Sequence, residues 1–187
     1  MKKKILFLGA SFAQVPSIKY AKKMGYHLIS CDKNKNSPGF KYCDESYQIS
    51  TTNKHKIFDL SKKLKINGIV AYVSDAASPT ASYVSKKLNL VGFPTNAVDI
   101  LVNKNLFRKF LKKNGFNYPE FKTFKNTKNI YKFINKIGYP FFVKPIDSSG
   151  SKGVTKVKNK RLLKRAISGA LSYSRKKQFI VEKIIER

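Results

Sequence analysis

Cysteine and histidine are scarce in this 187-residue sequence, with two of each, and ten acidic residues face 39 lysines and arginines. Cys31 and Cys43 are too few for a disulfide framework in a chain of this size, and no C-x-x-C spacing or histidine cluster accompanies them. Free thiols in a reducing cytoplasm are the expectation. His27 and His55 sit in no recognisable constellation and read as surface or strand residues, not as catalytic bases. Also missing is any stretch approaching the ~20 apolar residues of a membrane span. Lys2-Lys3-Lys4 followed by Ile5 to Ala10 imitates a signal peptide, but the elements that follow favour a buried first strand ending in a glycine turn.

Hydrophobic residues make up 42% of the chain, enough to bury a core and to exclude a disordered tail. The formal charge is +29, so phosphates, carboxylates, nucleic acid and anionic lipid all come into consideration. Residues 1–95 carry 16 basic and 5 acidic groups and residues 96–187 carry 23 and 5, so the excess lies everywhere. A nucleic-acid reader concentrates its basic residues on one face or arm, often interleaved with aromatics. Here lysines such as Lys62, Lys63, Lys65, Lys86 and Lys87 fall on the polar sides of helix-like segments, and 34 of the 39 basic residues are Lys. A solvated surface in a lysine-rich proteome accounts for that better than a nucleic-acid footprint.

Ile5 to Leu8 reads as a strand closed by Gly9, Ala13 to Met24 as a helix ending at Gly25, and Tyr26 to Cys31 as a second strand. A loop from Lys33 to Gly39 leads to a third short strand, Ser46 to Ile49. Ile57, Leu60, Leu64 and Ile66 mark a helix, Ile69 to Val73 a continuous strand, and Pro79 to Leu88 a further helix. Strands alternating with helices predict an α/β domain with a Rossmann-like parallel sheet over residues 1–95. Beyond it, Val98 to Lys113 reads as one long helical stretch and Tyr118 to Phe124 as a strand. Ile130 to Ile137 then reads as a helix, Phe141 to Pro145 and Val154 to Val157 as a hairpin, Leu162 to Tyr173 as a helix and Phe179 to Ile185 as a last strand. That order predicts a small α+β unit with a mostly antiparallel sheet over residues 96–187.

Gly9-Ala10-Ser11-Phe12-Ala13-Gln14, with Asp32 closing the next strand, has the arrangement of a dinucleotide fold. Ser11 and Gln14 stand where its second and third glycines belong, which argues against NAD or FAD. A small anion at the helix N-terminus and a glycine needed only by the tight turn remain equal readings. In Phe141-Phe142-Val143-Lys144-Pro145, Phe141 and Val143 share one face, Phe142 and Lys144 the other. A lone ammonium thus projects from an apolar strand and calls for an anion. Ser148, Ser149, Gly150, Ser151 and Gly153 follow at once, in a loop whose backbone amides could close over phosphate oxygens. It joins two strands, so it is not a Walker A loop, and a plain serine-glycine hairpin is its rival reading. Glu182 lies among apolar residues of the last strand, where edge exposure or a salt bridge is the ordinary explanation.

Taken together, Asn103-Lys104 opening a helix, Gly138-Tyr139-Pro140 leading to Lys144, the Ser/Gly loop and Val181-Glu182-Lys183 resemble the ATP-grasp family. That family includes biotin carboxylase, the large chain of carbamoyl phosphate synthetase and many carboxylate-amine ligases. The resemblance spans the chain: residues 1–95 look like the α/β domain preceding the ATP-grasp domain, and residues 96–187 like the first part of the ATP-grasp domain itself. It implies that Lys104 and Lys144 contact the ATP phosphates and that Ser148 to Gly153 forms the lid over them. It further implies that Glu182, with the backbone of Lys183 and Ile185, meets the adenine amino edge, with Val143 and Ile185 flanking or supporting the ring. Where the family commonly has Asp before the lysine, this chain has Asn103.

The resemblance implies an ADP-forming ligase in which ATP converts a small carboxylate to an acyl phosphate that an amine, thiol or similar nucleophile displaces. Bicarbonate is a further carboxylate-like substrate open to it. Gly9, Ser11, Phe12, Asp32 and Asp75, at the carboxyl ends of parallel strands, are the candidate lining for the carboxylate. Magnesium is an implied cofactor, and in the family its carboxylate ligands lie in segments matching none of residues 1–187. The expectation is therefore an N-terminal portion of such an enzyme, inactive by itself, with a homodimer as one assembly open to it. The alternatives are a non-catalytic nucleotide or small-anion binding module and, on charge alone, a basic nucleic-acid-binding protein whose affinity would fall steeply with salt.

Overall fold

A computed structural model describes residues 2–185 and divides the chain into two compact units, Met1–Val98 and Asp99–Arg187. In the first unit the elements run β1 (Lys4–Leu8), α1 (Val15–Lys23), β2 (His27–Asp32), a 3-10 turn (Phe40–Tyr42), β3 (Glu45–Gln48), α2 (Lys54–Leu64), β4 (Gly68–Val70) and α3 (Ser78–Lys87). The strands form a parallel sheet in the order β3-β2-β1-β4. The parallel α/β expectation holds for this unit. Both faces of the central strands are covered, as parallel pairing requires. Leu6, Leu8, Ile29 and Cys31 turn to one side, with Ile57, Ala77 and Val84, while Phe7 and Leu28 pack with Ile18 of α1 on the other.

Most boundaries shift by one or two residues from those read in the sequence, and at the ends of α2 and β4 the cause is visible. Ile66 lies beyond the end of α2, because Lys65 adopts a left-handed conformation (φ 51°) that stops the helix; Ile66 is buried all the same. Strand β4 ends at Val70, not Val73, since Tyr72 and Val73 turn away and Val73 has φ 50°. The Tyr72 carbonyl is taken instead by the Gln14 side-chain amide at 2.9 Å.

Both cysteines are free. Burial, with the neighbouring Asp32 charge, pushes the Cys31 thiol up to about 12, and burial first and Asp44 second push Cys43 up to about 11, so neither supplies a thiolate near neutrality. His27 opens β2 and pairs with Glu45 across 2.8 Å, a structural placement.

Helix α4 (Thr95–Val102) crosses the division, and α5 (Lys104–Lys113), β5 (Phe121–Phe124), α6 (Ile130–Ile137), β6 (Phe141–Pro145), β7 (Thr155–Val157), α7 (Lys160–Tyr173) and β8 (Phe179–Lys183) follow. The stretch 98–113 is thus two helices and not one. Asn103 breaks it: its side-chain oxygen accepts from the amides of Asn105 (3.0 Å) and Leu106 (3.2 Å), which caps α5 and starts a new axis. Strand β5 begins at Phe121, three residues later than expected, because Pro119 has no amide to give a ladder. Strand β8 closes at Lys183 rather than Ile185. The second sheet runs β5-β8-β6-β7, antiparallel throughout. Its buried face, Phe141, Val143, Val157, Phe179 and Val181, packs against Ile130, Phe133, Ile134 and Ile137 of α6 and Leu163, Ala166, Ile167 and Ala170 of α7.

Candidate functional site

Alternation along β6 sends Phe141 and Val143 into the core and leaves Phe142 and Lys144 half-buried on the other face. Val143, at 0% exposure, can support a ligand on that face but not touch it. Helix α5 is fastened to the end of the same strand: the Lys104 amide donates to the Ile146 carbonyl at 2.8 Å, and the Lys104 ammonium to the Ser148 carbonyl at 2.5 Å. The helix N-terminus, Lys104 and the start of the Ser/Gly loop therefore come together.

The loop is tied at both ends, and between them Ser148 Oγ bonds the Lys152 carbonyl at 2.8 Å. At its entry Asp147 is buried, and its carboxylate accepts from Ser174 Oγ (2.7 Å) and the Lys176 amide (3.0 Å), while Arg175 donates to the Asp147 carbonyl at 2.9 Å. At its exit Gly153, with φ 73°, fits only because it has no side chain: a Cβ there would lie 2.9 Å from Pro145 Cγ and 3.0 Å from the Gly169 carbonyl oxygen. Between these posts Ser149, Gly150, Ser151 and Lys152 are exposed, and Gly150 (φ 62°) and Ser151 (φ 57°) are left-handed. Gly153→Ala should cost about 2 kcal/mol, from left-handed strain and a contact with backbone that cannot yield. Urea melts of the two proteins check this, and equal midpoints would refute it.

Glu182 is not an edge residue. Strand β8 lies between β5 and β6, Glu182 is 1% exposed, and two cations from different elements hold its carboxylate. Arg108 Nε of α5 donates to Oε1 at 2.9 Å, and Lys144 Nζ of β6 to Oε2 at 2.5 Å. Register places Glu182 opposite Phe142 on one side and Phe121 on the other. The Lys144 ammonium also lies 4.9 Å from the Phe142 ring centre. Its anion is thus built into the protein, and the Glu182 carboxylate is engaged by cations. Lys183 and Ile185 are exposed where β8 ends. Sequence reasoning missed Arg108, though it stands one turn after Lys104 on the same helix face. It missed Asp147 as well.

The first unit groups some of its candidates and separates others. Gly9 (φ 107°) makes the turn, its amide bonded to the Cys31 carbonyl at 2.8 Å. The Asp32 carboxylate accepts from the Ala10 amide (2.9 Å) and the Asn34 amide (3.0 Å), and so binds the β1 turn to the end of β2. Ser11 gives both its amide (3.1 Å) and its hydroxyl (2.6 Å) to Gln14 Oε1. Gln14 stands where the third glycine of a dinucleotide loop would be, and its side chain lies 3.3 Å from the place of a Cβ on Gly9. The amides of Gly9, Ala10 and Ser11 are thus committed within the protein. Phe12 is 83% exposed, and Asp75 lies exposed in the β4–α3 loop.

Among the described residues no group of three or more His, Cys, Asp or Glu side chains could hold a metal ion. No described helix is long and apolar enough to cross a membrane.

Residues 110–187 match the family described as D-ala D-ala ligase C-terminus. Formate-dependent phosphoribosylglycinamide formyltransferase of Prochlorococcus marinus (strain MIT 9515) is 27% identical over 179 residues, which is 95% of this chain and 46% of the relative. The Bacteroides fragilis protein of the same name is 27% identical over 188 residues, 98% of this chain and 48% of its own length. The chain spans about half the length of the curated relatives it matches. Among solved structures, N5-carboxyaminoimidazole synthetase from Staphylococcus aureus complexed with ADP superimposes with a TM-score of 0.78 at 20% identity, covering 100% of this chain and 49% of that one. Biotin carboxylase from Campylobacter jejuni, in a beta-gamma-ATP complex, does so with 0.70 at 19%, covering 100% and 46%. The resemblance to the ATP-grasp family and its α/β architecture is borne out.

Proposed function

Proceeding from an ATP-grasp fold, we propose that this chain carries the phosphate-facing part of an ATP-dependent, ADP-forming ligase. The observation that carries the reading is the convergence of the α5 N-terminus and Lys104 on the loop that follows Lys144. A helix N-terminus, two ammonium groups and an exposed loop rich in serine and glycine make a site for a polyanion. Lys104 would exchange the Ser148 carbonyl for a phosphate oxygen, Lys144 would neutralise a second, and the amides of Ser149 to Gly153 would close over the terminal groups. Glu182, with the backbone of Lys183 and Ile185 at the end of β8, would meet the adenine edge; the Lys183 amide is already given to the Glu120 carbonyl at 2.8 Å, which leaves that residue's carbonyl for the base. ATP supplies the phosphoryl group that activates a carboxylate, and an amine or similar nucleophile then displaces phosphate.

The carboxylate belongs, in this reading, to the carboxyl ends of β1, β2 and β4, where Gly9, Ser11, Phe12, Asp32 and Asp75 lie. Asp32 and Ser11 shape the turn there, and exposed Phe12 is the group with a free surface to offer a substrate. Phosphoryl transfer needs its magnesium held, and the described residues offer no acidic cluster for that. The 187-residue polypeptide by itself is expected to bind nucleotide weakly and to turn none over.

Titration of the polypeptide with ATP, followed by amide NMR, should move signals of Ser149 to Gly153 and of Lys104. Lys144→Ala should weaken that binding tenfold or more, the loss of one charge-assisted contact. Unmoved loop signals, or unchanged affinity in the variant, would remove the nucleotide reading. ADP release by the polypeptide alone, free of contaminating ATPase, would remove the expected inactivity.

A further inference from the structure

We infer that Arg108 is a positioning residue: it keeps the buried Glu182 carboxylate paired, so that the Lys144 ammonium can leave that carboxylate for a phosphate. The inference rests on the nucleotide reading above and deepens it by giving the lysine a release mechanism.

The argument starts from a conflict. A lysine already bonded to a carboxylate across 2.5 Å is a poor phosphate ligand, because moving it strands a nearly inaccessible anion. With Glu182 bonded to Lys144 alone, the energy of stranding the carboxylate would be subtracted from whatever the phosphate contributes. The structure provides a second cation. Arg108 bonds the other oxygen through Nε at 2.9 Å and reaches Oε2 as well, with Nη2 at 3.5 Å. A planar guanidinium can take both carboxylate oxygens in a fork, which an ammonium cannot do. Arg108 already spans both oxygens when Lys144 is in place. On departure of the lysine, it needs only to shorten its second contact.

The two cations also differ in what they can reach. Arg108 comes from α5, packed beside β5, and the backbone of that helix is fixed by the Asn103 cap and by Thr123 Oγ1 bonding to Asn105 at 3.0 Å. Lys144 sits one residue before the end of β6, at the entry to the loop, on a flexible stem. The rigid fork is placed to stay, and the flexible point charge is placed to move. Arg108 and Glu182 stand seventy-four residues apart in the sequence, and the fold brings them together.

The test is the reactivity of the Lys144 amine toward an acylating reagent at limiting concentration, read by peptide mass spectrometry on the 187-residue chain. If Arg108 shares the carboxylate, Arg108→Met must leave Lys144 as the sole partner of Glu182 and hold it harder. Its acylation should then slow by about tenfold, the size expected when one adjacent charge is removed. Arg108→Lys should restore most of the rate, and Glu182→Gln should raise it above that of the unaltered chain. A purely structural role predicts the opposite sign, because loosening the sheet exposes Lys144 and speeds its acylation. A rate in Arg108→Met equal to or faster than the original therefore overturns the inference, whether through local loosening or unfolding, and Arg108→Lys tells these apart. A second arm measures ATP affinity: Arg108→Met should weaken it about tenfold, and the effect should vanish in the Glu182→Gln background. Should the original chain not bind ATP while the acylation order holds, the nucleotide reading fails and the pairing stands.

Discussion

Glu182→Ala should be among the most damaging single substitutions in the second unit, costing about 3 kcal/mol. Removing one partner of a buried ion pair costs about 3–5 kcal/mol, because the charge left behind is neither solvated nor paired. Here one deletion orphans two cations. Arg108 and Lys144 lose the only carboxylate that pairs with either among the described residues, and they are left facing one another. Each side chain retains 19% exposure, so both can turn partly toward water, which sets the estimate at the lower end of that range. In a domain of roughly 60–100 residues 1 kcal/mol moves the melting midpoint by about 4–8 °C, so the loss should be plain in a thermal scan. Faster amide exchange along β6 and β8 would locate it. A joint replacement of Glu182, Arg108 and Lys144 by Met or Leu should recover much of the stability, because the cost lies in the stranded charge and not in the lost volume. A midpoint for Glu182→Ala within 2 °C of the original would refute the account.

That triad shows where sequence reading stops. The apolar alternation that puts Phe141 and Val143 inside and Lys144 outside is a period-two pattern within five residues, and it is visible without coordinates. Which anion meets Lys144 is a long-range matter of strand order. Only when β8 lies between β5 and β6 does Glu182 arrive beside Lys144, and only when α5 packs by β5 does Arg108 arrive as well. Nothing local announces either. Asn103 is the contrary case, since an Asn inside an apolar-periodic stretch is a helix-start signal, and Asn103-Lys104 as the opening of a helix is legible without coordinates even where 98–113 also reads as one stretch.

Gln14 shows a third situation. In the sequence its position in the glycine loop reads only as a missing glycine. The structure gives it a function of its own, tying the Ser11 turn to the Tyr72 carbonyl and shortening β4. A long polar side chain at a helix start has many possible partners, and the sequence offers no way to choose among them. The overall order of elements survives these errors because it depends on burial periodicity, and the errors fall at loops, where single hydrogen bonds decide.

Phe141→Ala should remove about 3–5 kcal/mol, the other large effect, and by an unrelated mechanism. Phe141 is wholly buried on β6, between Val157 of β7 and Lys183 of β8, in the cluster formed with α6 and α7. Truncation leaves a cavity walled by strands on two sides, and backbone already committed to sheet hydrogen bonds cannot collapse into it. Its neighbour makes the control. Phe142 stands on the opposite, half-buried face, so Phe142→Ala should cost under about 1.5 kcal/mol in stability while disturbing the ring that lies 4.9 Å from the Lys144 ammonium. Lys144→Ala should resemble Phe142→Ala in stability, because Arg108 keeps Glu182 paired. Chemical denaturation of the three variants separates the two faces of one strand. A large loss for Phe141→Ala with small losses for the other two assigns stability to the inner face and leaves the outer face free for ligand. Equal losses at Phe141 and Lys144 would mean that the outer face is structural too, and the phosphate-binding reading of Lys144 would lose its physical basis.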